Sequence, residues 1–197
     1  GDTATITFVQ HGWDQADAFT ESVPSCASDG STWTRHGSGS VSCGGSLTLA
    51  GGGPGSVAME LVQTPAGYSY TSYLVKFHLH FDSTSAATWA GIVLAFPSSA
   101  NGYHQTEFMV SPAGYYCETQ TLSYCTSGGA VFPMPASSDF DFLAYVSDAS
   151  SFSATANGSY GGHGGFLGGG ATGLIELTAS GSTDAAYFAN YQLYQYK

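Results

Sequence analysis

The sequence predicts an all-β protein, an antiparallel sandwich of two sheets, and three observations carry that expectation. Short runs alternate apolar with polar residues; turns rich in Gly, Pro, Ser and Asn recur about every 8–12 residues; and no long stretch has helical periodicity. With 197 residues, the chain is long enough for one domain with a sizeable core.

Composition narrows the class further. Only 9% of residues are charged, against roughly 25% in ordinary soluble domains. Arg35, Lys76 and Lys197 are the only cations beside fourteen Asp and Glu, and the formal net charge is −11. That balance argues against nucleic acid, whose phosphates need clustered Lys and Arg. It argues equally against an anionic membrane surface. No run reaches the roughly 18 apolar residues of a membrane span, so no membrane insertion is expected. A hydrophobic fraction of 43%, with thirteen Tyr and twelve Phe, supports a packed core rather than disorder. Ser, Thr, Gly and Tyr supply polarity without charge, which suits an extracellular or cell-surface setting and contact with neutral polymers such as glycans. No targeting segment is visible, and Gly1 reads as a processed or trimmed terminus.

Four cysteines, Cys26, Cys43, Cys117 and Cys125, allow three pairings. None forms a C-x-x-C unit, which disfavours a zinc ribbon or a thioredoxin-like site. Local pairing, Cys26–Cys43 and Cys117–Cys125, closes two short loops and is the expectation, with an oxidising compartment.

Along the chain, Ala4, Ile6 and Phe8 alternate with threonines in Thr3–Val9, a strand that stands ahead of the domain. Gly12–Ser22 is polar, and Asp14–Phe19 suggests one helical turn. Ser46–Ala50 and Ser56–Gln63 read as strands around the turn Gly51-Gly52-Gly53-Pro54-Gly55. Tyr73–Phe81 is the clearest strand, with Leu74, Lys76, His78 and His80 on one face and Tyr73, Val75, Phe77, Leu79 and Phe81 on the other. The nearly continuous apolar run Trp89–Phe96 predicts a central strand buried on both faces. Asn101-Gly102 signals a hairpin before Tyr103–Ser111, and Pro112-Ala113-Gly114 the next turn before Tyr115–Gln120. Asp139–Val146 pairs with Ser151–Asn157. Ser159–Gly170 holds seven glycines and is expected to be a loop. Gly173–Ala179 and Ala185–Tyr196 close the chain as strands. The expected organisation is an arm over 1–12 and one sandwich over 13–197.

From about Phe19 onward, three stretches carry a family resemblance. They are Leu74–Phe81 followed by Ala90–Phe96, then Gly102–Ser111 with Gly114-Tyr115, and last Ala186–Tyr194. Their order resembles the concanavalin-like jelly roll, in particular laminin-G-like and glycosidase-associated modules of secreted or surface-attached bacterial proteins. The first stretch resembles a strand hairpin of that family. The resemblance implies an antiparallel sandwich, often glycan-associated, and transfers no functional residue, since this fold hosts hydrolases, lyases, lectins and adhesive modules alike.

Residues that could do chemistry are sparse. Members resembling laminarinases carry E-x-D-x-E on one strand, and no such run occurs here. Glu21, Glu60, Glu107, Glu118 and Glu176 lie apart in the chain. Glu107 and Glu176 sit on expected strands and could converge in a cleft, although a solvent-facing strand position accounts for them. Three cations are few for the uronate recognition a lyase needs. Variants of Gly-x-Ser-x-Gly occur at Gly37-Ser38-Gly39-Ser40, but that motif requires a strand–turn–helix context.

His78-x-His80 puts two imidazoles on one strand face and, with His104, could bind a transition metal. The alternative is ordinary polar residues on a wet sheet surface. The resemblance implies calcium bound by loop carboxylates. Asp139-x-Asp141 is the densest acidic pair, yet its alternation with Phe140 and Phe142 reads as the wet face of a strand. No cofactor is therefore expected beyond a structural calcium.

Carbohydrate platforms stack aromatic rings on sugar faces. Trp33 and Trp89 are expected to pack in the core. Trp13, Asn101, Tyr103 and Tyr160, the last two beside turns, are the candidate ligand contacts. Asn157-Gly158-Ser159 is a glycosylation sequon.

The leading functional reading is a non-catalytic extracellular recognition or adhesion module for a neutral polysaccharide. The alternative is a self-assembling structural subunit of a surface layer or filament, in which Thr3, Ile6 and Phe8 form an arm that pairs with the sheet of the next copy. A weaker alternative is a glycoside hydrolase of unrecognised type.

Overall fold

A computed structural model describes residues 13–19, 27–28, 31–43, 46–52, 56–61, 73–98, 102–118, 121–122, 130–147, 151–165 and 174–196. Among them are seventeen strands and no α-helix: β1 (Trp13–Phe19), β2 (Ala27–Ser28), β3 (Ser31–Gly37), β4 (Ser40–Cys43), β5 (Leu47–Ala50), β6 (Ser56–Leu61), β7 (Tyr73–Phe81), β8 (Trp89–Ser98), β9 (Gly102–Ser111), β10 (Gly114–Glu118), β11 (Thr121–Leu122), β12 (Ala130–Pro133), β13 (Asp139–Ser147), β14 (Ser151–Ala156), β15 (Tyr160–Gly165), β16 (Leu174–Ser180) and β17 (Ala186–Tyr196).

The two faces of β7 follow the alternation of its side chains. Val75, Phe77, Leu79 and Phe81 are buried, whereas Lys76 is exposed and His78 and His80 are half-buried. β7 runs antiparallel to both β13 and β17. These three form the middle of a nine-stranded sheet ordered β11-β15-β14-β13-β7-β17-β5-β4, with β1 also on β17. The second sheet has eight strands in the order β12-β10-β9-β8-β16-β6-β3-β2. All pairings in it are antiparallel as well, so the fold is the expected two-sheet β-sandwich.

The core lies between the sheets. Phe77 stacks on Phe142 with ring centroids 4.5 Å apart. Phe108, from the second sheet, meets the same Phe142 edge-on at 5.6 Å. Ile92, Val110 and Leu177 join from the second sheet, and Leu47, Leu49, Leu79, Phe140, Phe188 and Leu193 from the first. Each such aromatic or aliphatic side chain contributes about 1.5–3 kcal/mol by leaving water. β8 sits between β9 and β16, central as expected, and Ala90, Gly91 and Ile92 are all buried.

Several local expectations are corrected. Asp14–Phe19 is not a helical turn; it belongs to β1, which pairs with Tyr191–Tyr196 of β17 through a bulge between Gln15 and Asp17. β5 covers only Ala186–Phe188 of β17. The remaining backbone groups of β17 need partners, and ladder hydrogen bonds to β1 supply them. The glycine-rich segment is not all loop, because Tyr160–Gly165 is β15, paired with β14 and β11. A side chain is excluded at its second residue: a Cβ on Gly161 would stand 2.1 Å from the Ala154 carbonyl oxygen. β7 and β8 do not form a hairpin. They belong to different sheets, and their connection crosses the sandwich, as does the turn between β5 and β6.

Cys43 ends β4 and is disulfide-bonded. Cys117 lies on β10, and Cys26 and Cys125, needed to assign the pairing, fall outside the described residues. The expected arm with Thr3, Ile6 and Phe8 also lies outside them.

Gly91 supplies a test of the sandwich. A Cβ there would lie 2.2 Å from the Phe108 carbonyl oxygen and 2.8 Å from the Met109 Cα. Gly91→Ala should therefore destabilise the protein by about 1–3 kcal/mol or more, as overpacking does. An unchanged urea midpoint would refute the close approach of β8 to β9.

Candidate functional site

The outer face of β7, β13 and β17 carries the densest set of described polar side chains. The register pairs His80 with Asp139 and His78 with Asp141. Because Phe77, Leu79, Phe140 and Phe142 point into the core, their neighbours in the chain must point out. The His78 Nδ1–H donates to Asp141 Oδ1 at 3.0 Å, and the His80 Nδ1–H donates to Asp139 Oδ1 at 2.8 Å. His78 Nε2 lies 3.4 Å from the same Asp139 oxygen. Ser138 Oγ donates to Asp139 Oδ2 at 3.0 Å.

A hairpin residue holds this end of β13. Asn157 adopts the left-handed conformation, with φ of 52°, which asparagine tolerates better than most residues. Its Oδ1 accepts from the Asp141 amide at 2.8 Å, and its Nδ2 donates to the Asp139 carbonyl at 3.2 Å. Beside His80, the Tyr187 ring lies at 5.8 Å and its hydroxyl donates to Asp82 Oδ2 at 2.7 Å. That bond to an anionic acceptor, followed by partial burial, raises the Tyr187 hydroxyl above its ordinary pKa.

Two strands over, β17 opens a groove. Its pairing with β7 is interrupted between Ala189 and Gln192, and Asn190 has φ of 53°. The irregularity leaves Tyr191 in the core and Asn190 exposed. Lys76, His78, Asp141, Asn190 and Gln192, over the backbone of Phe77 and Phe142, line an open groove of about 250 Å³. At its rim, Lys76 Nζ lies 5.2 Å from the centroid of the Tyr194 ring, and the Tyr194 hydroxyl donates to Gln192 Oε1 at 2.8 Å. The groove thus combines a carboxylate, an imidazole, two amides and an ammonium, a set suited to hydroxyl-rich ligands.

The structure distributes the sequence candidates differently. Tyr160 is half-buried and packs against the core, with its ring 6.3 Å from Tyr115. Its register partner Ala156 is buried, so Tyr160 faces inward rather than standing free beside its turn. Trp13 opens β1 in the nine-stranded sheet, Tyr103 lies on β9 in the other sheet, and Asn101 falls outside the described residues. Trp13 and Tyr103 thus lie on different sheets. His104 lies on β9, in the opposite sheet from His78 and His80, so that trio is not brought together.

Asp139 and Asp141 do not fit a calcium site. They sit on a strand rather than a loop, and their oxygens receive imidazole and hydroxyl hydrogens. Among the described residues, no group of three or more His, Cys, Asp or Glu could hold a metal ion.

One alignment went unread in the sequence. Glu118 pairs with Glu107, Glu107 with Val93, Val93 with Glu176, and Glu176 with Glu60. Four glutamates from β10, β9, β16 and β6 therefore fall in one row across the eight-stranded sheet. The adjacent row, Phe108, Ile92 and Leu177, is buried. Asn190 and Gln192 were also missed. Their signal was present: buried positions in β17 shift from Ala186 and Phe188 to Tyr191 and Leu193, and such a change of parity within one strand marks a bulge.

No protein-family model matches this sequence, and no curated protein does. Solved structures share the fold at low identity. A sialidase superposes with a TM-score of 0.59 at 13% identity, over 91% of this chain and 18% of the sialidase. A glycosyl hydrolase family 16 protein from Mycobacterium smegmatis gives 0.56 at 9% identity, covering 89% of this chain and 98% of that one. The binding domain of botulinum neurotoxin DC, in complex with SialylT, gives 0.57 at 9% identity, covering 92% and 48%. The chain thus spans under a fifth of the sialidase and about half of the toxin domain. These similarities establish a jelly-roll β-sandwich.

Asp139 makes the His–Asp pairs testable. The hydrogen bond from His80, followed by that from Ser138, holds its carboxyl below the usual aspartate value. Such a group stabilises the fold above its unfolded pKa of about 3.9 and loses that contribution as pH falls through the lower folded value. Asp139→Asn should lower stability at pH 7, and the difference from the parent protein should shrink below about pH 4. Urea melts at both pH values measure this; an equal difference at pH 3 and pH 7 would exclude an ionised, hydrogen-bonded Asp139.

Proposed function

We propose that this chain is a non-catalytic carbohydrate-recognition module of the concanavalin-like type, acting outside the cell on a neutral polysaccharide. The observation that carries the reading is the open groove of Lys76, His78, Asp141, Asn190 and Gln192. Its volume of about 250 Å³ lies below the roughly 300–1,000 Å³ of enclosing small-molecule pockets. An open groove of that size suits one ring of a polymer lying across the sheet. Amide and carboxylate groups bond sugar hydroxyls in pairs, and Gln192 is held by the Tyr194 hydroxyl at 2.8 Å. Support also comes from the names of the structural neighbours, which include a sialidase, a family 16 glycosyl hydrolase and a toxin binding domain in complex with SialylT.

The test is a glycan array followed by affinity measurement on the best polymer. Asn190→Gly keeps the left-handed backbone while removing the amide, and Gln192→Ala removes the partner of Tyr194. Together they should weaken binding about tenfold or more, the equivalent of losing one or two hydrogen bonds, with the thermal midpoint retained. No retention of the parent protein on any neutral polymer would sink the reading.

A second reading, glycan hydrolysis, is favoured by the glutamate row. Glu107 and Glu176 flank Val93 on strands two apart, or about 9–10 Å between backbones. Inverting hydrolases separate their two carboxyls by roughly 6.5–9.5 Å. If the row is catalytic, Glu107→Gln or Glu176→Gln should each cut the release of reducing ends by about 10²-fold or more. A parent protein that releases none from any array-positive polymer removes this reading.

A further inference from the structure

We propose that Asn157 is a site of spontaneous covalent modification, deamidation through a cyclic imide formed with Gly158, and that the fold keeps this site closed by tying the Asn157 amide to the backbone of β13. The inference does not rest on the carbohydrate reading.

Asn157 and Gly158 form the tip of the β14–β15 hairpin. Their φ values of 52° and 65° are the two positive values that a type I′ turn requires, and Asn-Gly is the favoured dipeptide there. The Ser159 amide closes the turn on the Ala156 carbonyl at 3.3 Å. Both tip residues are exposed. A Cβ on Gly158 would meet no atom within 4 Å, so the tip is open to water on that side. Glycine places no side chain between its own nitrogen and the preceding amide, and asparagine is among the heat-labile residues.

The chemistry needs water alone as co-reactant. The Gly158 backbone nitrogen gives its proton to solvent and attacks Asn157 Cγ. The new C–N bond closes a five-membered imide, and the Cγ–Nδ2 bond breaks with ammonia as the leaving group. Water then opens the ring. Cleavage at Cγ gives aspartate, and cleavage at the main-chain carbonyl gives isoaspartate. The net change is one amide and one water converted to one carboxylic acid and one ammonia.

The folded chain holds the amide away from that path. Asn157 Oδ1 accepts from the Asp141 amide at 2.8 Å, and Nδ2 donates to the Asp139 carbonyl at 3.2 Å. The Asn157 backbone amide donates to the Asp141 carbonyl at 2.9 Å. Cγ can turn onto the Gly158 nitrogen only when both side-chain bonds open, so the rate of modification follows local opening of the hairpin.

The product acts on the same bonds. An ionised carboxylate only accepts hydrogen bonds, whereas a protonated one also donates. The carboxylate keeps the bond from the Asp141 amide but sets an anionic oxygen against the Asp139 carbonyl, where an N–H stood. Ser137 Oγ still donates to that carbonyl at 2.8 Å. Deamidation therefore loosens β13 at Asp139 and Asp141, the residues that hold His80 and His78, and it does so only while the new carboxyl is ionised.

Two measurements on the full chain test this. The first is peptide mapping of aspartate and isoaspartate at position 157 after incubation at mildly alkaline pH, in native buffer and in unfolding urea. Asn101-Gly102, the other Asn-Gly pair of the chain, is the internal reference. In the unfolded chain both sites should convert at similar rates, and position 157 should convert at least about tenfold more slowly in the folded protein. Conversion at Asn101 but not at Asn157 in urea overturns the site, and equal rates at Asn157 in both buffers overturn its closure. The second measurement is the urea midpoint of Asn157→Asp, which carries the charge of the aspartate product. Because the fold disfavours the ionised form, the loss should be present at about pH 7 and should vanish below the unfolded carboxyl value of about 3.9. A midpoint equal to the parent's at pH 7, or a loss of the same size at pH 3, overturns the coupling to β13. The mapping uses the parent protein, so it reads the site whatever the variant does.

Discussion

The stacking of Phe77 on Phe142, with Phe108 of the other sheet edge-on to Phe142, is the constraint on which the rest of the structure depends. It fixes β7 against β13 by burying every second residue of each. A slip of one residue would drive His78, His80, Asp139 and Asp141 into the core and expose the phenylalanines. The cost of that exchange, several buried aromatics lost and several polar groups desolvated, leaves one register. The pairing of imidazoles with carboxylates on the outer face is thus a consequence of hydrophobic packing on the inner one.

β17 plays a different part. Its first half follows the alternation of its neighbours, and its second half is displaced by the irregularity after Ala189. That displacement keeps Tyr191 and Leu193 in the core while it lifts Asn190 out and opens the groove above Phe77 and Phe142. Backbone irregularities within otherwise regular sheets often re-aim a side chain in this manner. The groove and the His–Asp pairs share His78 and Asp141, so the two features occupy one continuous surface.

What could be read from the sequence was set by how strongly each segment obeys period two. Tyr73–Phe81 and Asp139–Val146 were legible almost residue by residue, and the wet face of the aspartates with them. Tyr160–Gly165 was not, because its glycines carry no pattern and their role, the tight approach to Ala154, exists only once β14 is beside them. Asp14–Phe19 was misread because its strand form depends on backbone groups offered by β17 at the other end of the chain. The glutamate row was invisible for a related reason: β8 pairs with β9 locally but with β16 across some eighty residues, roughly the reach of a non-local ladder. Of the candidate site, the His78, His80, Asp139 and Asp141 side chains were placed on the correct faces. Their pairing with each other required the topology.

The lengths of the outermost strands carry a consequence for how this molecule behaves in a crowd. β11 and β2 have two residues each, β4 and β12 have four, and β1, the longest at seven, is broken by a bulge and carries Asp14 and Asp17. Soluble β-proteins commonly discourage lateral association with lysines along such borders, a device hardly open to a chain with three cations. Brevity, interruption and aspartate serve that purpose here among the described residues, and they let a protein poor in charge keep its unsatisfied backbone from recruiting its neighbours.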